Sequence, residues 1–126
     1  MIIANLYAGW IGILIGCLVG AAKGLFFGEE NWLGGYESWK RRMLRLGHIS
    51  FFGIGFINLA FVMSAQTLGI EKEVYLPSLL FLIGAAGMPL LCYLSAIKDT
   101  FRHLFFIPTL SVIIGLCTFL WKIAIR

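Results

Sequence analysis

The sequence contains two histidines, and each stands near the start of a long apolar stretch. His48 comes shortly after Arg45, and His103 comes directly after Arg102. If both stretches cross one membrane in the same direction, the two imidazoles lie at a similar depth. Two imidazoles from different helices can ligate a haem iron axially, and arginines can pair with the haem propionates. These four residues are therefore a candidate site for b-type haem and electron transfer.

The same four residues have a simpler interpretation. Basic and imidazole side chains near helix ends commonly extend towards lipid headgroups or hydrogen-bond there. Beyond haem iron held by His48 and His103 we expect no metal. Structural zinc sites generally use four side-chain ligands, and no cysteine or carboxylate accompanies the histidines at their predicted depth.

Catalytic residues are not evident in the sequence. The six acidic residues all fall outside the long apolar stretches, whereas proton-coupled transporters carry ionisable groups within the membrane. Hydrolases need a nucleophile with a partner base, and the sequence has no motif of that kind. Cys17, Cys92 and Cys117 lie in apolar stretches, where we expect them to pack as small hydrophobic residues. We therefore expect no catalytic activity of the chain's own.

Asn58 is the polar side chain near the middle of the second apolar stretch. An amide in hydrocarbon needs hydrogen-bond partners. We expect another helix to supply them; the alternative is a bound quinone or another cofactor.

The elements that must position these residues are membrane helices. The 126 residues are 60% hydrophobic and 13% charged, with a mean hydropathy of +0.94, whereas soluble domains are about 25% charged. A helical span needs about 20 apolar residues. The sequence predicts an all-α integral membrane protein, a four-transmembrane-helix bundle with short loops and one longer cytoplasmic connection. The single domain, 1–126, has predicted spans at 2–27, 43–65, 75–97 and 101–125. Pro108 predicts a kink in the fourth span or the end of a distinct first turn.

Basic residues predict the orientation. Seven Lys and Arg residues border the first and third connections, and three lie on the other side. The positive-inside rule therefore places the loops 28–42 and 98–100 in the cytoplasm and both termini outside. We expect a bacterial-type inner (cytoplasmic) membrane. The net charge of +4 comes without a long basic run, which disfavours nucleic acid as a partner.

A stripe of small residues runs along the first span. Its centre is Gly12, Gly16, Gly20 and Gly24, one glycine every fourth residue. Such a stripe lets helix backbones approach closely in a bilayer. It predicts packing against the chain's own helices, docking of a helix from another subunit, or a groove that admits a flat ligand or a lipid.

These observations leave three functional hypotheses. The first is a non-catalytic structural or accessory subunit, or an assembly factor, of a larger membrane complex of respiratory or photosynthetic type. Its partners would be membrane lipids and other membrane subunits that bind the glycine stripe of the first span. The alternatives are the b-type haem module described above and a quinone- or lipid-binding protein.

Overall fold

The computed structural model describes residues 1–26 and 28–126, and the described chain is helical without a strand. The helices are α1 (Ile2–Gly24), α2 (Trp39–Leu68), α3 (Tyr75–Ile97) and α4 (Phe106–Ala124). Two 3₁₀ helices, Trp32–Gly34 and Asp99–Leu104, lie in the first and third connections. Four helical segments are long and apolar enough to cross a membrane. The predicted fold class, an all-α integral membrane bundle of four helices, is confirmed.

The helix ends differ most from the predicted spans in α2 and α4, and α2 also ends at Leu68 rather than at 65. α2 begins at Trp39 rather than at 43, because Ser38 Oγ accepts a hydrogen bond from the Arg41 N–H at 3.3 Å and caps a polar first turn. α4 begins at Phe106 rather than at 101, after the 3₁₀ helix. Pro108 then lies in the first turn of α4. Backbone N–H groups in a first turn make no hydrogen bond within the helix, so the missing N–H of proline costs none. The predicted end of the first span, Phe27, lies outside the described residues.

The helices pack in an order that follows the chain. α2 lies against both α1 and α3, α1 also touches α3, and α4 packs mainly on α3. Aromatic rings fill the core near the end of α2: Phe61 meets Phe81 and Phe119 edge-to-face, with centroids 5.1 and 4.9 Å away. Edge-to-face contacts between aromatic rings stabilise a fold beyond the contribution of the apolar area that they bury.

A buried polar network joins α1, α2 and α3 near the start of α1. Asn5 Nδ2 donates to Asn58 Oδ1 at 2.8 Å and to the Ser78 carbonyl at 3.0 Å, and Ser78 Oγ donates to Asn5 Oδ1. Asn58 Nδ2 in turn donates to the Ile54 carbonyl at 2.9 Å. Asn5, Asn58 and Ser78 are fully buried. Besides its own helix, Asn58 bonds to α1 through Asn5 and to α3 through the Phe81 carbonyl at 3.4 Å. Partners on other helices are the first of the two expectations for this amide.

The other end of the bundle carries a cluster of cations and is called the basic end below. Its cations on α1 and α2 are Lys23, Lys40, Arg41, Arg42 and Arg45. Lys23 Nζ donates to the Leu44 carbonyl at 2.7 Å, which joins α1 to α2. Trp39 Nε1 donates to the Ser95 carbonyl at 2.7 Å, which joins α2 to α3. Side chains therefore hold the three helices together at the basic end as well.

Candidate functional site

An apolar cavity of about 490 Å³ lies between α1 and α3, with α2 as its floor. Its wall includes Ile11 and Leu90, which are 50% and 57% exposed. The cavity therefore opens to the surface that lipid would cover. The lining residues are Ala8, Ile11, Gly12 and Ile15 of α1, Phe51 of α2, and Leu82, Ala85, Ala86, Pro89, Leu90 and Tyr93 of α3.

Small side chains create this cavity. α1 and α3 are joined at Asn5 and Ser78, and the residues that follow on facing sides are small: Ala8 and Gly12 on α1, and Ala85 and Ala86 on α3. The volume of this open cavity lies within the 300–1,000 Å³ usual for ligand pockets, which makes it a candidate binding site.

Two further cavities lie nearer the basic end. One, of about 250 Å³, is lined by Val19, Ala22, Lys23, Phe26, Trp32, Leu44 and Tyr93. The other, of about 420 Å³, is lined by Leu33, Lys40, Leu44, Tyr93, Ala96 and Ile97. Tyr93 borders all three cavities. We call the three together the Tyr93 cleft.

The Tyr93 hydroxyl is a buried polar group next to this cleft. Its oxygen is buried and finds no hydrogen-bond partner among the described residues. The ring packs against α2, because Gly47 has no side chain: a Cβ there would stand 3.1 Å from Tyr93 Cε2. The Phe51 ring lies beside it, with centroids 6.2 Å apart. A buried hydroxyl without a partner costs about 1–3 kcal/mol. Its oxygen has no open surface, so an acceptor atom of a ligand would relieve this cost only after a shift of the neighbouring side chains.

The cleft has cations only at its basic end. Lys23 lines one cavity there and Lys40 lines the other. In the described part of the chain, neither lysine lies within ion-pair distance of a carboxylate; the pair that does form, Lys122 with Glu73 at 4.0 Å, involves α4 and the α2–α3 loop. The two ammonium groups are thus available to an anionic group at the mouth of the cleft.

The first connection packs over the basic end, beside the mouth of the cleft. The Phe26 and Trp32 rings stack with centroids 5.0 Å apart, and the Arg41 guanidinium lies 5.5 Å from the Trp32 centroid. The connection then turns back through Gly34 and Gly35, whose φ angles of +89° and +97° favour glycine.

The residues of the haem hypothesis lie in different surroundings. The His48 ring packs on α1, where a Cβ at Gly20 would stand 2.7 Å from its Cε1. It also meets Phe52 edge-to-face, with centroids 5.3 Å apart. His48 Nδ1 is buried without a partner among the described residues. Arg45 stacks on Tyr36 at 4.1 Å and donates to its carbonyl at 2.9 Å.

Arg102 and His103 belong instead to the exposed 3₁₀ helix before α4, which packs on α3. His103 lines a cavity of about 360 Å³ with Lys98, Thr100, Phe101 and Leu104. The structure places His48 at the α1–α2 interface and His103 in this surface segment, and it gives the two imidazoles no shared cavity among the described ones. Haem ligation by this pair stays an alternative hypothesis.

The glycine stripe is used mostly inside the chain. Gly12, Gly16 and Gly20 face α2, because a Cβ added at these positions would meet Phe51, Phe52 and His48 respectively. A Cβ added at Gly24 would meet nothing within 4 Å. Gly12 also lines the Tyr93 cleft. Internal packing thus accounts for three of the four glycines, and docking of another subunit on the stripe stays a prediction.

Sequence reasoning missed Tyr93, Lys23 and Lys40 as site residues. A signal was present for Lys23, which is a cation inside the first apolar run, where ionisable residues often mark function. Tyr93 had no signal of its own, because a tyrosine near the end of a membrane helix is ordinary.

The described residues contain no group of three or more His, Cys, Asp or Glu side chains that could hold a metal ion. Comparison with known proteins adds no relative: no protein-family model, curated protein or solved structure matches the chain. The candidate site therefore rests on the chemistry of the Tyr93 cleft.

Proposed function

We propose that this chain is a non-catalytic integral membrane protein that binds one long-chain amphiphile in the Tyr93 cleft. The observation that carries the proposal is the position of Tyr93: the residue borders all three cavities, and its buried hydroxyl has no partner among the described residues. This is the lipid- or quinone-binding hypothesis of the sequence, now attached to named residues.

The lining supports an amphiphile rather than a wholly apolar or wholly polar ligand. The walls from Ala8 to Leu90 are apolar and suit an acyl or isoprenoid chain. Tyr93 can donate a hydrogen bond to an ester or quinone carbonyl. Specific sites of this kind combine apolar walls with a few placed polar groups.

Filling the cleft tests the proposal. Ala86 is exposed on its wall, so Ala86→Phe should occupy the cavity with little effect on helix packing. Ala124→Phe is the matched control, since Ala124 is exposed at the end of α4. Mass spectrometry of the purified protein after detergent exchange should find a retained lipid or quinone with the unmodified chain and the control, but at least about tenfold less with Ala86→Phe. Equal retention by all three proteins would refute the proposal.

An accessory role in a larger membrane complex is compatible with amphiphile binding, because a bound lipid can fill the space between a subunit and its partners. Partner subunits that co-purify after gentle solubilisation would support that role. A protein that stays alone but keeps its amphiphile would favour the binding function by itself.

A further inference from the structure

We infer that the occupant of the Tyr93 cleft is an anionic phospholipid, with its phosphate between Lys23 and Lys40 and an acyl chain along α1 and α3. This inference rests on the proposed function and adds the chemical class of the ligand.

Charge complementarity at the basic end is the first argument. Lys23 and Lys40 each line one of two cavities that share Leu44 and Tyr93 as lining residues. Lys23 Nζ uses one donor on the Leu44 carbonyl, which fixes the ammonium at the mouth and leaves other donors free. The Lys23 ammonium group can therefore bind a phosphate, because the described carboxylates form no ion pair with it.

The polarity of the cleft along its length is the second argument. Its deep part, between Gly12 and Leu90, is lined by no charged residue. The hydroxyl of Tyr93 comes next, and the two lysines follow at the mouth. A phospholipid has the same order of groups: acyl chain, ester carbonyl, phosphate. A quinone has a carbonyl but no anion, and so leaves the lysines without a partner.

The remaining cations of the basic end favour the same ligand class. Arg41 and Arg45 are engaged with the first connection through Trp32 and Tyr36, so they hold that connection over the cleft. They also raise the positive potential around its mouth, and each cation near an anionic membrane surface is worth about fivefold in binding.

The test is competitive lipid retention. The protein is equilibrated in micelles with equal amounts of phosphatidylglycerol and phosphatidylcholine that carry identical acyl chains, and bound lipids are quantified by mass spectrometry after detergent exchange. We expect phosphatidylglycerol to be retained in excess. Lys23→Gln and Lys40→Gln should each reduce that excess about fivefold, and an excess of soluble glycerol phosphate should not displace the lipid.

Lys72→Gln is the matched control, because Lys72 is exposed in the α2–α3 loop away from the cleft, and it should leave the ratio unchanged. Equal retention of both lipids, with both lost in Ala86→Phe, would overturn the anionic class while leaving the binding function intact. Retention of neither lipid by the unmodified chain would overturn both. Displacement by glycerol phosphate would show a site for free phosphate and overturn the assignment to a lipid.

Discussion

Asn5 of α1 and Ser78 of α3 hydrogen-bond to each other twice, since Asn5 Nδ2 donates to the Ser78 carbonyl and Ser78 Oγ donates to Asn5 Oδ1. The bonds hold the starts of the two helices together, and the Tyr93 cleft opens farther along the same pair of helices. These bonds therefore fix the distance between α1 and α3 at one end of the proposed site.

Loss of this network should destabilise the bundle. Asn5→Leu removes both bonds to Ser78 and leaves Asn58 Oδ1 without its donor in hydrocarbon. We expect the free energy of unfolding in detergent micelles to fall by about 1–2 kcal/mol. Thr67→Val is the control, because Thr67 is exposed and bonds only within its own helix, to the Met63 carbonyl. An Asn5→Leu protein as stable as the control would contradict the role of the network.

Two glycines of the stripe, Gly16 and Gly24, should respond differently to substitution by alanine. At Gly16 a Cβ would stand 2.8 Å from Phe52 Cε2, whereas at Gly24 it would meet nothing within 4 Å. Gly16→Ala should therefore lower the free energy of unfolding by about 1–3 kcal/mol through overpacking. Gly24→Ala should be neutral or slightly stabilising, because alanine favours a helix over glycine. Thermal unfolding followed by circular dichroism measures both; equal effects would mean that α1 does not pack on α2 through this stripe.

The histidines give a spectroscopic prediction. Because His48 packs between α1 and α2 against Gly20 and His103 lies in the exposed 3₁₀ helix, we expect the purified protein to show no Soret band of bis-histidine haem. His103→Ala should leave both the absorption spectrum and the stability unchanged. A Soret band that disappears in both His48→Ala and His103→Ala would instead establish the haem hypothesis.

The orientation stays a prediction with a direct test. Reporter fusions at the first connection and at the carboxyl end should place the basic end in the cytoplasm and both termini outside. That orientation would bring Lys23 and Lys40 to the leaflet in which anionic lipids are enriched. Reporters with the opposite result would reverse the bundle and place the mouth of the cleft outside.

The sequence was sufficient for the fold class, because hydrocarbon requires apolar runs of a length that is visible without a structure. It also predicted that Asn58 would need partners on another helix. It could not predict the start of α4, because the polar segment with Arg102 and His103 forms a 3₁₀ helix rather than the first turn of the span. The sequence could not predict the cleft either, because a cavity depends on which small residues of α1 and α3 face each other. Ala8 and Ala86 can be identified as lining residues only when the positions of the two helices are known.

The most direct measurement of the central claim is the behaviour of Tyr93→Phe with and without the amphiphile. Phenylalanine keeps the ring against Gly47 and removes only the unpartnered hydroxyl. The delipidated variant should be as stable as the unmodified chain or about 1 kcal/mol more stable, because a buried unsatisfied group is gone. Its retention of the amphiphile, measured by mass spectrometry on the same samples, should fall by about five- to tenfold, as for the loss of one net hydrogen bond. Unchanged retention together with a less stable delipidated protein would mean that the hydroxyl serves the fold, and the account of the Tyr93 cleft would be wrong.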